Sequence, residues 1–416
     1  MRYSHALLCA LLLSLLAAAW PAGVVETTTM RGKVLCGYQG WFRCPGDDAN
    51  LGWIHWSRGR QPPSATTMTV DMWPDMTDYG PDERYPVPGF TYPDGTPACL
   101  FSSCNPRTVL RHFEWMRDYG IDGVFLQRFL VGLKGGPYPW YYPSVLKVMN
   151  NVRRAARQTG RVWALSYDIA EMPEEAIYDV MTSDWKELVD RKLTEDPRYL
   201  HEQGKPVVQV WGFYPSVPSH HITPELARRL IAFFQAPGKY QAYFIGGGAW
   251  NWRDWEDAAW RAVVEHCDAY SPWNIGNWAR DEAGHAHASM GWWKDDLAAC
   301  NAARVDWFPT VYPGFTWDNL TQQPPGTSKI DREGGRFLWE QFYELSQLGV
   351  DTVYVAMFDE VDEGTAIFKV TSSPPTQGYF VGYDGLPSDW YLRLVGEGQR
   401  MLRGERSVSR QIPIQP

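Results

Sequence analysis

From Asn105 onward the chain alternates between two hydrophobic rhythms. Segments with apolar residues three and four apart, the spacing of one helix face, give way to short runs of β-branched and aromatic residues that suit strands. Residues 106–119 place Val109, Leu110, Phe113 and Met116 on one side, with Asn105 as N-cap and Gly120 as stop, so a helix is predicted there. Strands are then predicted over 123–128, 161–168, 206–211, 240–245, 269–273 and 307–312. Helices are predicted over 143–158, 173–190, 224–234, 252–265, 289–303 and 335–348. A first strand over 33–38 precedes this series, and a last one begins at Thr352. Between the first strand and the first helix runs a Pro- and Gly-rich excursion, residues 45–97, without helical periodicity. Loops this long are usually functional or disordered, and the aromatic residues in this one favour order and function. Residues 378–385 read as an edge hairpin or loop, and 388–402 as a closing amphipathic helix.

Eight strands alternating with helices predict an α/β fold, a single (β/α)8 TIM barrel over residues 23–416 with a long loop after the first strand. In such barrels the chemistry gathers at the C-terminal ends of the strands. Those ends supply Tyr38, Gln127, Arg128, Tyr167, Asp168, Trp211, Trp250, Trp273, Asn274 and Tyr312 as candidate substrate-binding residues. Asp168 has two readings: an acid facing the substrate, or a carboxylate paired to Arg128.

The last strand carries the candidate chemistry. An apolar run, Val353-Tyr354-Val355-Ala356-Met357-Phe358, ends in Asp359-Glu360-Val361-Asp362-Glu363-Gly364-Thr365. Packed carboxylates repel and each costs desolvation, so four acids at the end of a buried strand need a reason. Glu360 and Glu363 would diverge in a continuing strand. A turn directly after Glu360 would bring their Cβ atoms to about 5–6 Å, a plausible separation for acid/base work on a glycosidic bond.

Composition sharpens this. A net charge of −9 argues against nucleic acid, and 22 Trp with 22 Tyr, many in loop-like segments, suit a partner offering apolar C–H faces among hydroxyls. Sugars are such a partner. Residues 1–22 read as an export leader, with Arg2 before an apolar stretch and small residues at Ala19 and Ala22. The expectation is a secreted or periplasmic protein with no membrane span. Six cysteines then remain, and pairs Cys99–Cys104 and Cys267–Cys300 are expected in an oxidising compartment. His285-x-His287 and His220-His221 lack an acid or cysteine at matching spacing for zinc, and Asp359, Asp362 and Glu363 lack the repeated oxygen pattern of a calcium loop. No metal or cofactor is expected. Asn319-Leu320-Thr321 fits a glycosylation acceptor. No Gly-x-Ser-x-Gly elbow or phosphate-cradling Gly-Lys loop points to ester or phosphate chemistry.

Three places resemble glycoside hydrolase families 71 and 99 and the uncharacterised bacterial proteins grouped with them. They are Tyr38 and Trp41 followed by Trp53, His55 and Trp56; Asp196-Pro197-Arg198-Tyr199 leading to Gly204-Lys205-Pro206-Val207; and Glu360-x-x-Glu363-Gly364-Thr365. The resemblance implies a barrel that hydrolyses α-glycosidic bonds with retention, and adds Trp41, His55 and Trp56 to the binding residues. It implies Glu360 as the base on a sugar 2-hydroxyl, through a 1,2-anhydro intermediate, and Glu363 as acid/base on the leaving oxygen. The chain departs from family 99 around these acids, where Val361 and Asp362 stand in place of Trp and His. A second reading is a glycan-binding protein that keeps the aromatics without catalysis.

Overall fold

The computed structural model describes residues 23–416 except Ser216, Pro218 and His221. The predicted leader and His221 therefore lie outside the described residues. Nine parallel strands form the central sheet: β1 (Val34–Tyr38), β2 (Gly123–Phe129), β3 (Val162–Asp168), β4 (Lys205–Phe213), β5 (Tyr243–Ala249), β6 (Ala269–Trp273), β7 (Asp306–Trp307), β8 (Thr310–Val311) and β9 (Val353–Val355). Their spatial order is β7-β6-β5-β4-β3-β2-β1-β9-β8, and a short antiparallel strand, His201–Glu202, pairs with β4. Every residue of β1, β3 and β5 is buried, as expected of parallel strands covered on both faces. β2 and β3 approach so closely that a Cβ on Gly123 would lie 2.0 Å from the Val162 carbonyl oxygen, which excludes any larger residue there.

The expected closed (β/α)8 barrel is corrected. The sheet is open and curled through 301°, with its edges 10 Å apart. The opening falls where one strand was predicted over 307–312. That segment is split: β7 pairs with β6, and β8 pairs with β9. Between them Phe308 N–H still bonds the Tyr270 carbonyl at 2.9 Å, whereas Pro309 has no N–H to give and offers only its carbonyl to Tyr354 N at 2.9 Å. The two edges of the sheet are thus successive pieces of one segment. Across the gap the Ser271 and Thr310 hydroxyls stand 3.3 Å apart.

Outside the sheet lie α1 (Pro106–Asp118), α2 (Tyr142–Thr159), α3 (Glu174–Asp190), α4 (Pro224–Gln235), α5 (Ala258–Glu265), α6 (Trp293–Ala303), α7 (Arg336–Gln347) and α8 (Trp390–Leu402). The predicted caps hold: Asn105 accepts from Arg107 N at 2.9 Å and Thr223 from Leu226 N at 3.3 Å. The helix predicted over 252–265 is instead a 3₁₀ turn, Trp252–Asp254, followed by α5, because Asp257 caps a fresh start by accepting from Ala259 N. The excursion after β1 is ordered and contains a hairpin, Tyr85–Thr91 with Pro97–Leu100. Residues 378–385 form no strand beyond one bridge from Val381 to Met72.

The expected cysteine pairs are also corrected. All six cysteines are free thiols. Cys44 donates to the Phe101 carbonyl and Cys267 to that of Val263, so both sulfurs are engaged with backbone instead. No helix among the described residues is long and apolar enough to cross a membrane.

Beneath the mouth, Arg128 pairs with Asp184 rather than Asp168, at 2.7 and 2.6 Å, and Tyr167 donates to the same carboxylate at 2.7 Å. Both charges are almost fully buried. Asp184→Ala would strand the guanidinium, and removing one partner of such a pair costs about 3–5 kcal/mol. The urea midpoint should fall accordingly; an unchanged midpoint would show that the triad contributes nothing.

Candidate functional site

The site is made by a turn. After β9 the chain stays beside β1 as far as Phe358, whose N–H bonds the Gly37 carbonyl at 2.8 Å. Residues 361–364 then form a turn, closed by Ala366 N–H on the Glu360 carbonyl at 2.8 Å. Gly364 is left-handed at φ +59°, and a Cβ on it would fall 2.3 Å from Thr316 Cγ2. Three neighbours clamp the turn. Thr316 N–H bonds the Glu363 carbonyl at 3.0 Å, and Arg332 donates to the Gly364 and Ala366 carbonyls at 2.8 Å each. Asp71 N–H holds the Val361 carbonyl at 3.0 Å, while the Asp71 carboxylate collects Asp318 N, Asn319 N and the Thr316 hydroxyl.

The turn sends its four acids to different surroundings. Asp359 points back to the end of β1 and accepts from Gln39 N at 2.7 Å and Gly40 N at 2.9 Å; burial nevertheless pushes its carboxyl up to about 7. Glu360 is 1% exposed, takes the Gln39 side-chain amide on one oxygen, and is pushed well above the usual carboxylate range by burial and then by Asp362, Glu363 and Asp359. Asp362 faces His55 Nδ1 at 3.3 Å. Glu363 is only half-buried; burial, Asp362 and Asp168 together raise it to about 7.

Asp168, at the end of β3, accepts from Ala170 N at 2.7 Å and is also pushed up to about 7, chiefly by burial. Its field and that of Glu363 both act on the Tyr214 phenol, already held protonated by burial. The structure therefore gathers Glu360, Asp362, Glu363, Asp168 and Tyr214 at one end of the sheet. His55 and Trp41 form a wall: their rings stack at 3.8 Å and 7°, and Trp41 continues onto Phe129 at 5.1 Å. Gln127 donates to the Tyr354 hydroxyl at 2.9 Å, and Trp211 packs edge-on against Trp273 and Tyr214.

Other sequence candidates sit elsewhere. Tyr38 is fully buried, with its hydroxyl 2.8 Å from His112 Nδ1, and Trp56 donates to the Phe101 carbonyl at 3.0 Å. Arg128 and Tyr167 belong to the Asp184 triad. Tyr312 donates to the Asn277 carbonyl, Asn274 is 1% exposed, and Trp250 lies against Trp292 at 4.2 Å. The Asn319 side-chain amide is spent on the Val70 and Tyr379 carbonyls, which leaves it unsuited to carry a glycan. Gln39 and Tyr214 were not among the sequence candidates, and Asp362 was weighed there only as one of the clustered acids and a calcium ligand. Gln39 follows Tyr38 directly, and Tyr214 became visible only because β4 runs two residues past the predicted strand end. Among the described residues no group of three or more His, Cys, Asp or Glu side chains is arranged to hold a metal ion. His287 is instead engaged by Asp281 and Glu340, and His285 by Glu333.

No family model and no curated protein matches this chain. Solved structures do. Two structures of the GH99 endo-α-mannosidase from Bacteroides thetaiotaomicron superimpose with TM-scores of 0.63 and 0.64 at 17% identity, over 92% and 91% of this chain and all of theirs. A glycoside hydrolase-like protein gives 0.51 at 13% identity, over 92% of this chain and 97% of its own. The fold is glycoside-hydrolase-like.

A glycoside-hydrolase-like fold with this many raised acids has a characteristic pH response. Folded Asp168, Asp359 and Glu363 keep protons up to about 7, whereas the unfolded chain releases them near ordinary carboxylate values. Between those limits the folded state binds more protons, so its stability falls as pH rises. The thermal midpoint should drop between about pH 4 and pH 7, and less steeply in Asp168→Asn. A slope identical in that variant would mean that Asp168 does not hold its proton.

Proposed function

We propose that the protein is a glycoside hydrolase that cleaves α-linked glycans, with Glu360 and Glu363 at the reacting bond. The observation that carries this reading is the turn over 361–364, which sets two glutamates of raised proton affinity beside each other at the C-terminal mouth of the sheet. Acetal cleavage requires a proton donor at the leaving oxygen and a base near the anomeric carbon. Glu363 suits the donor: it is the more exposed of the pair, and about 7 leaves it part-protonated at neutral pH. Glu360, positioned by the Gln39 amide, is the base toward the sugar 2-hydroxyl.

The cycle balances within these two groups. The 2-hydroxyl gives its proton to the base, and its oxygen closes on the anomeric carbon. The glycosidic bond breaks, and the leaving oxygen takes the Glu363 proton. Water then adds to the anomeric carbon, returning one proton to Glu363 while the base restores the 2-hydroxyl, so configuration is retained. Trp41 and His55 provide a flat wall for a sugar ring. The likeness to the GH99 endo-α-mannosidase makes an α-mannan the first substrate to try, and the predicted leader makes an extracellular glycan the natural one.

Three further acids around Glu360 favour a second reading, a glycan-binding protein without turnover. Purified protein on α-mannan, α-glucan and arabinose- or xylose-containing glycans separates the two: reducing ends appear with a hydrolase, and only binding heat with a binder. Glu363→Gln should bind the active glycan with unchanged affinity and lose at least 100-fold in kcat, the scale of general acid catalysis. Turnover at the parent's rate would take Glu363 out of the mechanism.

A further inference from the structure

Glu360 and Asp362 flank Val361 at the start of the turn, and each is left with one oxygen that nothing satisfies. On Glu360, Oε2 takes the Gln39 amide; on Asp362, Oδ2 faces His55. Glu360 Oε1 and Asp362 Oδ1 are sealed from solvent and receive no N–H or O–H donor. Two adjoining carboxylates cannot both stay ionised in such a place, because each is desolvated and each repels the other. A proton between them removes both problems, since it makes one oxygen a donor to the other, and after burial Asp362 is the strongest influence raising Glu360.

We infer that Glu360 and Asp362 hold one proton in common between Oε1 and Oδ1, so that the base of this site is a dyad anchored by His55. The dyad titrates as a unit, and the proton belongs to neither acid alone. His55 is well suited to hold Asp362. Its ring is fixed by the Trp41 stack, its carbonyl is tied to the Thr69 hydroxyl at 2.6 Å, and about a third of its side chain remains exposed. The charged neighbours come from several elements. Asp359 and Glu363 act on Glu360 from the same segment, and Glu363 in turn feels Asp362 and Asp168 from β3. The charges of Glu363 and Asp168 act on Tyr214 from the segment after β4, and among the described residues His55 from the excursion after β1 is the basic side chain bonded to the dyad.

With one shared proton the dyad carries a single negative charge. Taking the proton of a sugar hydroxyl leaves both members neutral, and giving it back restores the starting state. Asp362 is thus a positioning residue that keeps Glu360 competent as a base at a site crowded with acids. This catalytic consequence rests on the hydrolase reading; the shared proton itself does not.

Infrared difference spectroscopy of the whole protein tests it at about pH 8.5, where the acids pushed only to about 7 have largely ionised. The parent should show a protonated-carboxyl C=O band that shifts in D₂O. That band should vanish in Glu360→Gln and in Asp362→Asn, whose amide gives Glu360 an N–H donor in place of the proton, and should persist in Asp168→Asn. With an active glycan, the acidic limb of kcat/KM should move down by a pH unit or more in Asp362→Asn. It should move up in His55→Gln, which loses the anchor of Asp362. A parent without the band, or a band surviving in Glu360→Gln or in a folded Asp362→Asn, overturns the dyad; should Asp362→Asn melt out, Glu360→Gln and the parent decide. A band without turnover on any glycan would sink the hydrolase reading and leave the dyad standing, while turnover without the band would do the reverse.

Discussion

Arg332 is the residue on which the mouth of this molecule depends. It is 5% exposed, with its guanidinium 5.0 Å from the Tyr383 ring and 4.5 Å from the Tyr391 ring, and it spends Nη2 on two carbonyls of the acid-bearing segment. Backbone carbonyls in a tight, buried turn need donors, and a turn left without them would open toward water. The clamp by Thr316 and Asp71 completes the arrangement from segments far apart in sequence. The four-residue turn is thereby held by hydrogen bonds from three separate segments, the kind of support that a positioned functional group needs.

Much of the fold was legible because the two rhythms in the chain are clean. α1, α2, α4 and α8 lie within two residues of where periodicity and caps predict them, since an apolar stripe and an N-cap are local signals. Closure of the sheet was not legible. Eight strand-like runs suggest a barrel by count, but whether the ring closes depends on hydrogen bonds across segment 306–311. There a single proline withholds one donor and lets the chain change partners. The cysteine pairs failed for a related reason: spacing in sequence says little about whether two sulfurs meet, and Cys99 and Cys104 belong to different surroundings at the end of the hairpin.

At the site, the acids were readable and their partners were not. Four carboxylates in five residues announce themselves. That Asp168 would face Glu363 while Arg128 turned to Asp184 depends on alternation along neighbouring strands and on α3, whose Asp184 comes from a helix the strand ends cannot foresee. Tyr38 and Tyr167 illustrate the same limit. Both sit where a barrel would display substrate-binding groups, yet both are sealed beneath the mouth with their hydroxyls bound to protein. Aromatic residues at strand ends can serve as floor as readily as wall. Segments that overrun the strands, bearing Trp41, His55 and Tyr214, supply much of the opening instead.

The site sorts its acids into two levels, and that division bears directly on mechanism. Glu363 and Asp168 form the outer pair, raised to about 7, and the charges of both act on Tyr214, whose phenol burial keeps neutral. Glu360 and Asp362 form the inner pair: burial holds Glu360 well above the usual carboxylate range, and Asp362 faces His55. An isolated base so deeply buried among acids would remain protonated and idle at neutral pH. On the proposed reading, a pair that holds one proton keeps one charge, and that charge is what a sugar hydroxyl would meet. The crowding of carboxylates that first looks hostile to base catalysis at Glu360 is, on this account, the condition that allows it.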